Sequence, residues 1–208
     1  MDSLLPRISA LLIIIVGLFI PLRESAHADG VSPGYVLGGP LDAPIRMEVF
    51  SDFQCSACRA FYLETVRSIL RDYASKGKVC VIYHDFPLVS HAYSREAARY
   101  SHAAYPLGRT KLLAVIDALY EHQSDWAASG DIGTTIAQAI SPEDFKQLEQ
   151  NLRDPLINQA IEQDIALARD KQINATPTYF LYYIGREQKI EGALPYISLK
   201  QFFDRIVK

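Results

Sequence analysis

The sequence predicts an α/β fold interrupted by an all-helical insertion, on three observations. A strand, helix, strand succession occupies residues 45–83, a stretch of helical periodicity without a convincing strand runs from about 90 to 172, and a hairpin with a short helix closes the chain. Strand, helix, strand implies a parallel pair, because parallel neighbours need a connection long enough to hold a helix. At 208 residues, 49% hydrophobic and 22% charged, the chain can bury one substantial core. Its formal net charge of −3, from 21 basic and 24 acidic side chains, gives no electrostatic footprint for nucleic acid or an anionic membrane surface.

At the N-terminus, Arg7 precedes an apolar run from Ile8 to Ile20 that Pro21 breaks, and Ala26-His27-Ala28 follows as a small-x-small cleavage signal. Residues 1–28 are expected to be a signal peptide cleaved after Ala28, the run being shorter than the roughly 20 residues that span a bilayer. The other reading is an uncleaved anchor, since Asp2 dilutes the basic n-region and Leu22 extends the run. Residues 29–44, with Gly38-Gly39-Pro40 and Ala43-Pro44, are expected to form an irregular lead-in. Ile45 to Phe50 is the first strand and Ser51 to Gln54 a turn. Cys58 to Ala74 is a helix with Phe61, Tyr62, Val66, Ile69 and Leu70 on one face, stopped by Gly77. Val79 to Tyr83 is a continuous apolar run, as in a strand covered on both faces.

In the insertion, residues 90–172, Gly108 and Gly130 punctuate helices, and Ser141-Pro142 marks a helix start with a serine cap and a proline at the first helical position. Thr178 to Ile184 is a strand, Gly185-Arg186 a turn, Gln188 to Glu191 a second strand, and Ser198 to Val207 the closing helix. The domain around the insertion is expected to combine residues 45–89 and 173–208.

Export places the cysteines in an oxidising compartment. There are three, Cys55, Cys58 and Cys80, an odd number and too few to staple a scaffold. Cys55-Ser56-Ala57-Cys58 lies between a strand and a helix, where unpaired N–H groups and the positive end of the helix dipole favour a thiolate at Cys55. Cys58 follows one turn later, within disulfide reach. A purely structural bridge over four residues would close little chain entropy. A zinc site is the sharper rival: Cys80 and His84, four apart on a strand, could complete a Cys3His set with the pair. Against it, Cys80 begins its strand while the pair follows the end of the parallel neighbour, about a strand length away. Cys80 is instead read as a small buried hydrophobe, His84 and His91 as structural or surface histidines, and Trp126 with the insertion's tyrosines as core and groove lining.

Four segments carry a resemblance to a known family: Leu41-Asp42-Ala43-Pro44, Phe50-Ser51-Asp52-Phe53-Gln54-Cys55, Asp85-Phe86-Pro87-Leu88 with His91 and Ala97-Ala98, and Ala175-Thr176-Pro177-Thr178. Together with the cysteine pair they make the chain resemble the DsbA-like branch of the thioredoxin superfamily, over most of its length after residue 28. The resemblance implies a thioredoxin fold with an inserted all-helical domain. It also implies that Thr176-Pro177 is a cis bond facing the cysteines, with Thr176 presenting its backbone to an extended substrate; from local sequence alone, a trans proline starting an edge strand is the simpler reading. Two departures stand out. Many relatives carry a buried acid six positions before the first cysteine, where this chain has Val49; Glu48 points to the opposite face, which leaves Asp52 or a water to move the proton. Ser56-Ala57 also lacks the histidine that some strong oxidants place between their cysteines.

The function this implies is dithiol-disulfide exchange in exported, cysteine-containing polypeptides, with Cys55 as nucleophile, Cys58 as resolving thiol and Thr176-Pro177 as substrate-binding loop. Reoxidation through a membrane quinone-linked thiol oxidase is implied by the resemblance. The two sulfurs carry the chemistry, so no cofactor and no metal is expected. The same pair run in reverse is a reductase or isomerase, and the non-enzymatic alternative is the metal module of Cys55, Cys58, Cys80 and His84.

Overall fold

In the computed structural model, residues 34–207 are described, and the signal segment expected over residues 1–28 lies outside them. Five strands form one sheet in the order β1-β3-β2-β4-β5. At its centre β2 (Ile45–Ser51) and β3 (Val79–Asp85) run parallel, Ile45 facing Val79 and Ser51 facing Asp85. Between them the chain forms α1 (Ser56–Phe61), a π-helical turn (Tyr62–Val66) and α2 (Arg67–Asp72), where one long helix is expected from the sequence. The extra residue per turn lets Phe61, Tyr62, Thr65 and Val66 all face the core.

The lead-in over residues 29–44 is a correction: it contains a strand, β1 (Tyr35–Gly38), antiparallel to β3. Glycine and proline dominate that window and read as loop, but Gly39 is there because the strand end runs against β3. Its φ is +81°, and a Cβ would stand 1.9 Å from the Val79 carbonyl oxygen. Buried Tyr35 and Leu37 are the strand's inward pair.

Six helices, α3 (Ser94–Ala104), α4 (Arg109–Glu121), α5 (Gln123–Ser129), α6 (Ile132–Ala139), α7 (Pro142–Asn151) and α8 (Pro155–Asp170), lie between β3 and β4. Ser141 caps α7 through the Asp144 N–H, and Asp154 caps α8. β4 (Thr178–Tyr183) pairs antiparallel with β2 and with β5 (Arg186–Glu191). Ile184 and Gly185, both at positive φ, make the two-residue turn one position earlier than the glycine alone suggests. The outer strand β5 is charged and largely exposed, which blunts the sheet edge. α9 (Tyr196–Ile206) closes the chain.

One face of the sheet carries the main apolar core under α1, α2 and α4, including Val49, Val81, Tyr83, Leu119, Trp126 and Phe203. The other holds a smaller cluster of Phe50, Ala168, Ile173 and Phe180 beneath α8. Among the described residues no helix is long and apolar enough to cross a membrane.

Candidate active site

The end of β2 turns into α1 through a short loop that Asp52 holds. Its buried carboxylate accepts from the Gln54 N–H at 2.7 Å and the Ser94 hydroxyl at 2.6 Å through Oδ1. Through Oδ2 it meets the Leu88 N–H at 2.7 Å and His91 Nδ1 at 2.9 Å. Gln123 donates to the carbonyls of Phe53 at 2.6 Å and Cys55 at 3.1 Å, tying the same loop to α5. With four partners on two oxygens, the Asp52 carboxylate pins the loop to the start of the insertion and is not directed at the cysteines; only its backbone N–H reaches Cys58 Sγ, at 3.5 Å.

Cys55 is the N-cap of α1: it has extended backbone, and its sulfur accepts from the Cys58 N–H at 3.4 Å. The sulfur is partly exposed and lies 3.4 Å from the Thr176 carbonyl oxygen. Cys58 has no exposed surface. The two thiols are driven apart. The Cys58 side chain beside it, more than its partial burial can oppose, brings the Cys55 pKa down from its ordinary value to about 5. Burial first, and then the charge of Cys55, pushes Cys58 well up. One sulfur is thus accessible and ionised at neutral pH while its neighbour is protonated and shielded.

Thr176-Pro177, the cis bond among the described residues, sits across from the pair. Thr176 Oγ1 is buried with no well-aligned partner of its own and lies near enough to both sulfurs to favour their charged forms. Val49 is fully buried in the core cluster that holds Cys58. Glu48 is on the opposite face, bonded to Arg46 and to the Tyr182 hydroxyl.

The four-residue zinc alternative does not assemble. Cys80 faces Arg46, five positions back from the Ser51–Asp85 pairing, so it lies about 16 Å along the strand from the end that bears the pair. Alternation also puts Cys80 and His84 on the face away from Cys58, where His84 stacks on Phe50 and hydrogen-bonds Asp164 at 2.8 Å. Among the described residues, the group of potential ligands whose donor atoms approach within 4.8 Å is Asp85, His102 and Asp164, and it includes none of those four. His91 is bonded to Asp52 and Trp126 is buried in the core, its indole N–H on the Leu119 carbonyl at 2.7 Å.

The sequence assigns no site role to Gln123, Ser51 or Tyr83 and places Tyr120 only among the insertion's core and groove tyrosines; the four line the site from α5, β2, β3 and α4.

A five-stranded sheet with a helical insertion and a polarised Cys-x-x-Cys at the N-terminus of its first helix is a thioredoxin fold of the DsbA-like class. A family model described as thioredoxin matches residues 32–205, and the chain belongs to that family. It is 22% identical over 147 residues to a probable disulfide bond formation protein D of Bacillus cereus, covering 69% of this chain and 68% of the relative. Among solved structures it is similar to oxidised BdbD from Bacillus subtilis, with a TM-score of 0.68, 23% identity and coverage of 86% of this chain and 95% of that one. It is similar too to DsbA2 of Pseudomonas aeruginosa, with a TM-score of 0.67, 26% identity and coverage of 85% and 96%.

Proposed function

We propose that this protein is an exported thiol-disulfide oxidoreductase that forms or exchanges disulfides in cysteine-containing polypeptides. The observation that carries the reading is the opposed perturbation of the pair: an accessible Cys55 with pKa near 5 beside a buried Cys58 pushed well up. A low-pKa sulfur is a good leaving group and a stable thiolate, so the dithiol form is favoured and the disulfide is a ready acceptor of electrons. A substrate thiolate attacks Cys55, a mixed disulfide forms there, and the substrate's second thiol releases it. In the reductive direction Cys55 attacks and Cys58 resolves. Thr176, whose carbonyl lies beside Cys55, offers its backbone to an extended peptide, and Pro177 fixes that loop. Reoxidation by a membrane quinone-linked thiol oxidase fits the same chemistry.

The test is trapping. Cys55→Ser should abolish exchange, because no sulfur remains at the accessible position, whereas Cys58→Ser should accumulate mixed disulfides with a disulfide-bearing peptide that dithiothreitol removes. Mass mapping of the adduct to Cys58 instead of Cys55 would falsify the assignment. Sequencing the N-terminus of protein recovered from its host should give Asp29, and a retained Met1 would mean an anchor.

A further inference from the structure

Opening the Cys55–Cys58 disulfide leaves a negative charge on a buried sulfur. In the exchange proposed above, on which this inference rests, an incoming thiolate bonds to Cys55 Sγ, the Cys55–Cys58 bond breaks, and Cys58 departs with the electron pair before taking up a proton. Cys58 packs in an apolar cluster with Val49, Phe61 and Tyr179. A charge in such surroundings is costly unless hydrogen-bond donors are aimed at it.

The Asp52 N–H donates to this sulfur at 3.5 Å, and Ser51, which alternation puts on the same face of β2 as Val49 in the cluster that holds Cys58, stands where its hydroxyl favours the charged form. Ser51 is not alone. Its Oγ is 2.8 Å from the Tyr120 hydroxyl, which is 2.7 Å from the Tyr83 hydroxyl, and all three side chains are buried. One direction of donation suits the whole row: Tyr83 gives to Tyr120 and Tyr120 to Ser51, which leaves the single Ser51 proton for the sulfur. Each hydroxyl polarises the next, so the terminal donor is strengthened. Burial pushes both phenols well above their ordinary range, so they stay neutral donors. The Tyr120 ring is held by Tyr62, stacked at 4.8 Å, and by Phe53 at 5.0 Å. Besides this row, Cys58 faces Cys55 on its own turn and Thr176 from the loop before β4.

We propose that Ser51 is a catalytic hydrogen-bond donor to the departing Cys58 thiolate, and that Tyr120 and Tyr83 are positioning residues that orient its hydroxyl through a buried three-hydroxyl row.

The experiment isolates the sulfur. In the full chain carrying Cys55→Ser and Cys80→Ala, the 13Cβ chemical shift of labelled cysteine against pH reads Cys58 alone. Ser51→Ala should raise that titration by about one unit, or about tenfold less thiolate at a given pH, Tyr120→Phe should raise it by less, and Ser51→Thr should restore it. In the oxidised wild-type background, Ser51→Ala and Tyr120→Phe should slow disulfide opening by dithiothreitol by the same factors. The equilibrium constant with glutathione should hold, because Cys58 ends protonated either way. Tyr35→Phe, which removes an equally buried hydroxyl bonded to Ser101 and outside the row, should change neither. If Cys58 titrates alike in wild type, Ser51→Ala and Tyr120→Phe, or if Tyr35→Phe shifts it as much, the proposal is overturned. Should Ser51→Ala fail to fold, Tyr120→Phe carries the test. A shifted Cys58 titration in a protein that exchanges no disulfides would sink the functional reading and leave the row's effect on the sulfur standing.

Discussion

On the side of β2 and β3 that meets α4, Ser51, Tyr120 and Tyr83 form a buried row of hydroxyls; at the end of β3 beneath α8 and α3 the buried polar groups are ionisable and held in pairs. There His84 bonds Asp164 at 2.8 Å, the other Asp164 oxygen accepts the Asp85 N–H at 2.9 Å, and Asp85 stands 3.1 Å from His102. The difference follows from what each region must do. A site whose sulfur gains and loses charge is best served by donors that remain neutral throughout, since a fixed ion would favour one redox state. A region that joins α8 and α3 to the sheet can hold ionisable side chains, because its carboxylates and histidines face one another.

If that division is right, the largest effect on folding should come from the paired region. Asp164→Ala strands both His84 and the Asp85 N–H and should cost about 3–5 kcal/mol in urea unfolding. Exchange activity per folded molecule should persist, and Asp164→Asn, which retains an acceptor, should cost less. Activity lost in step with neither stability nor fold would break the comparison.

The second expectation sharpens the other region. Reduced protein should show Cys55 alkylation half-maximal near pH 5, while Cys80, whose pKa burial raises, should titrate above the ordinary cysteine value. The same depression links to stability. With a folded pKa near 5 and an unfolded value of about 8.5, the reduced form gains stability as pH rises from 5 to about 8.5 and loses it as pH falls through 5. Melting temperatures of reduced and oxidised protein across that window should show this trend in the reduced form alone.

The paired region should run the opposite way. Burial works against the His102 cation, yet the Asp85 carboxylate outweighs it, with help from Asp164, and lifts the His102 pKa. A raised histidine pKa stabilises below the unfolded value of about 6.5 and is lost as pH climbs through the folded one. Oxidised protein, free of the Cys55 contribution, should therefore lose melting temperature as pH rises above about 6.5, and His102→Gln should flatten that slope. The smallest effect is reserved for Cys80, fully buried and away from both regions: Cys80→Ala should cost about 1 kcal/mol by urea unfolding and leave exchange unchanged.

Much of the fold was legible because its signals are local. β2, β3, the hairpin and the closing helix were each readable from periodicity and turn residues, with ends displaced by a residue or two where helices and strands fray into turns. β1 was not, since four residues between glycines carry almost no pattern and are made a strand only by pairing with β3. The π turn in the helix after the pair was equally invisible, as it depends on which side chains the core must accept.

What the sequence determined by itself was the placing of two cysteines at a helix start: three-residue spacing and a helix start are both local, so the Cys55 cap geometry follows from the chain's own direction. The tertiary structure decided how each sulfur behaves. Thr176 comes to Cys55 from 121 residues away, and Tyr120 reaches Ser51 across 69. A thiol's pKa is set by the donors, charges and water around it, and those neighbours are chosen by packing instead of sequence spacing.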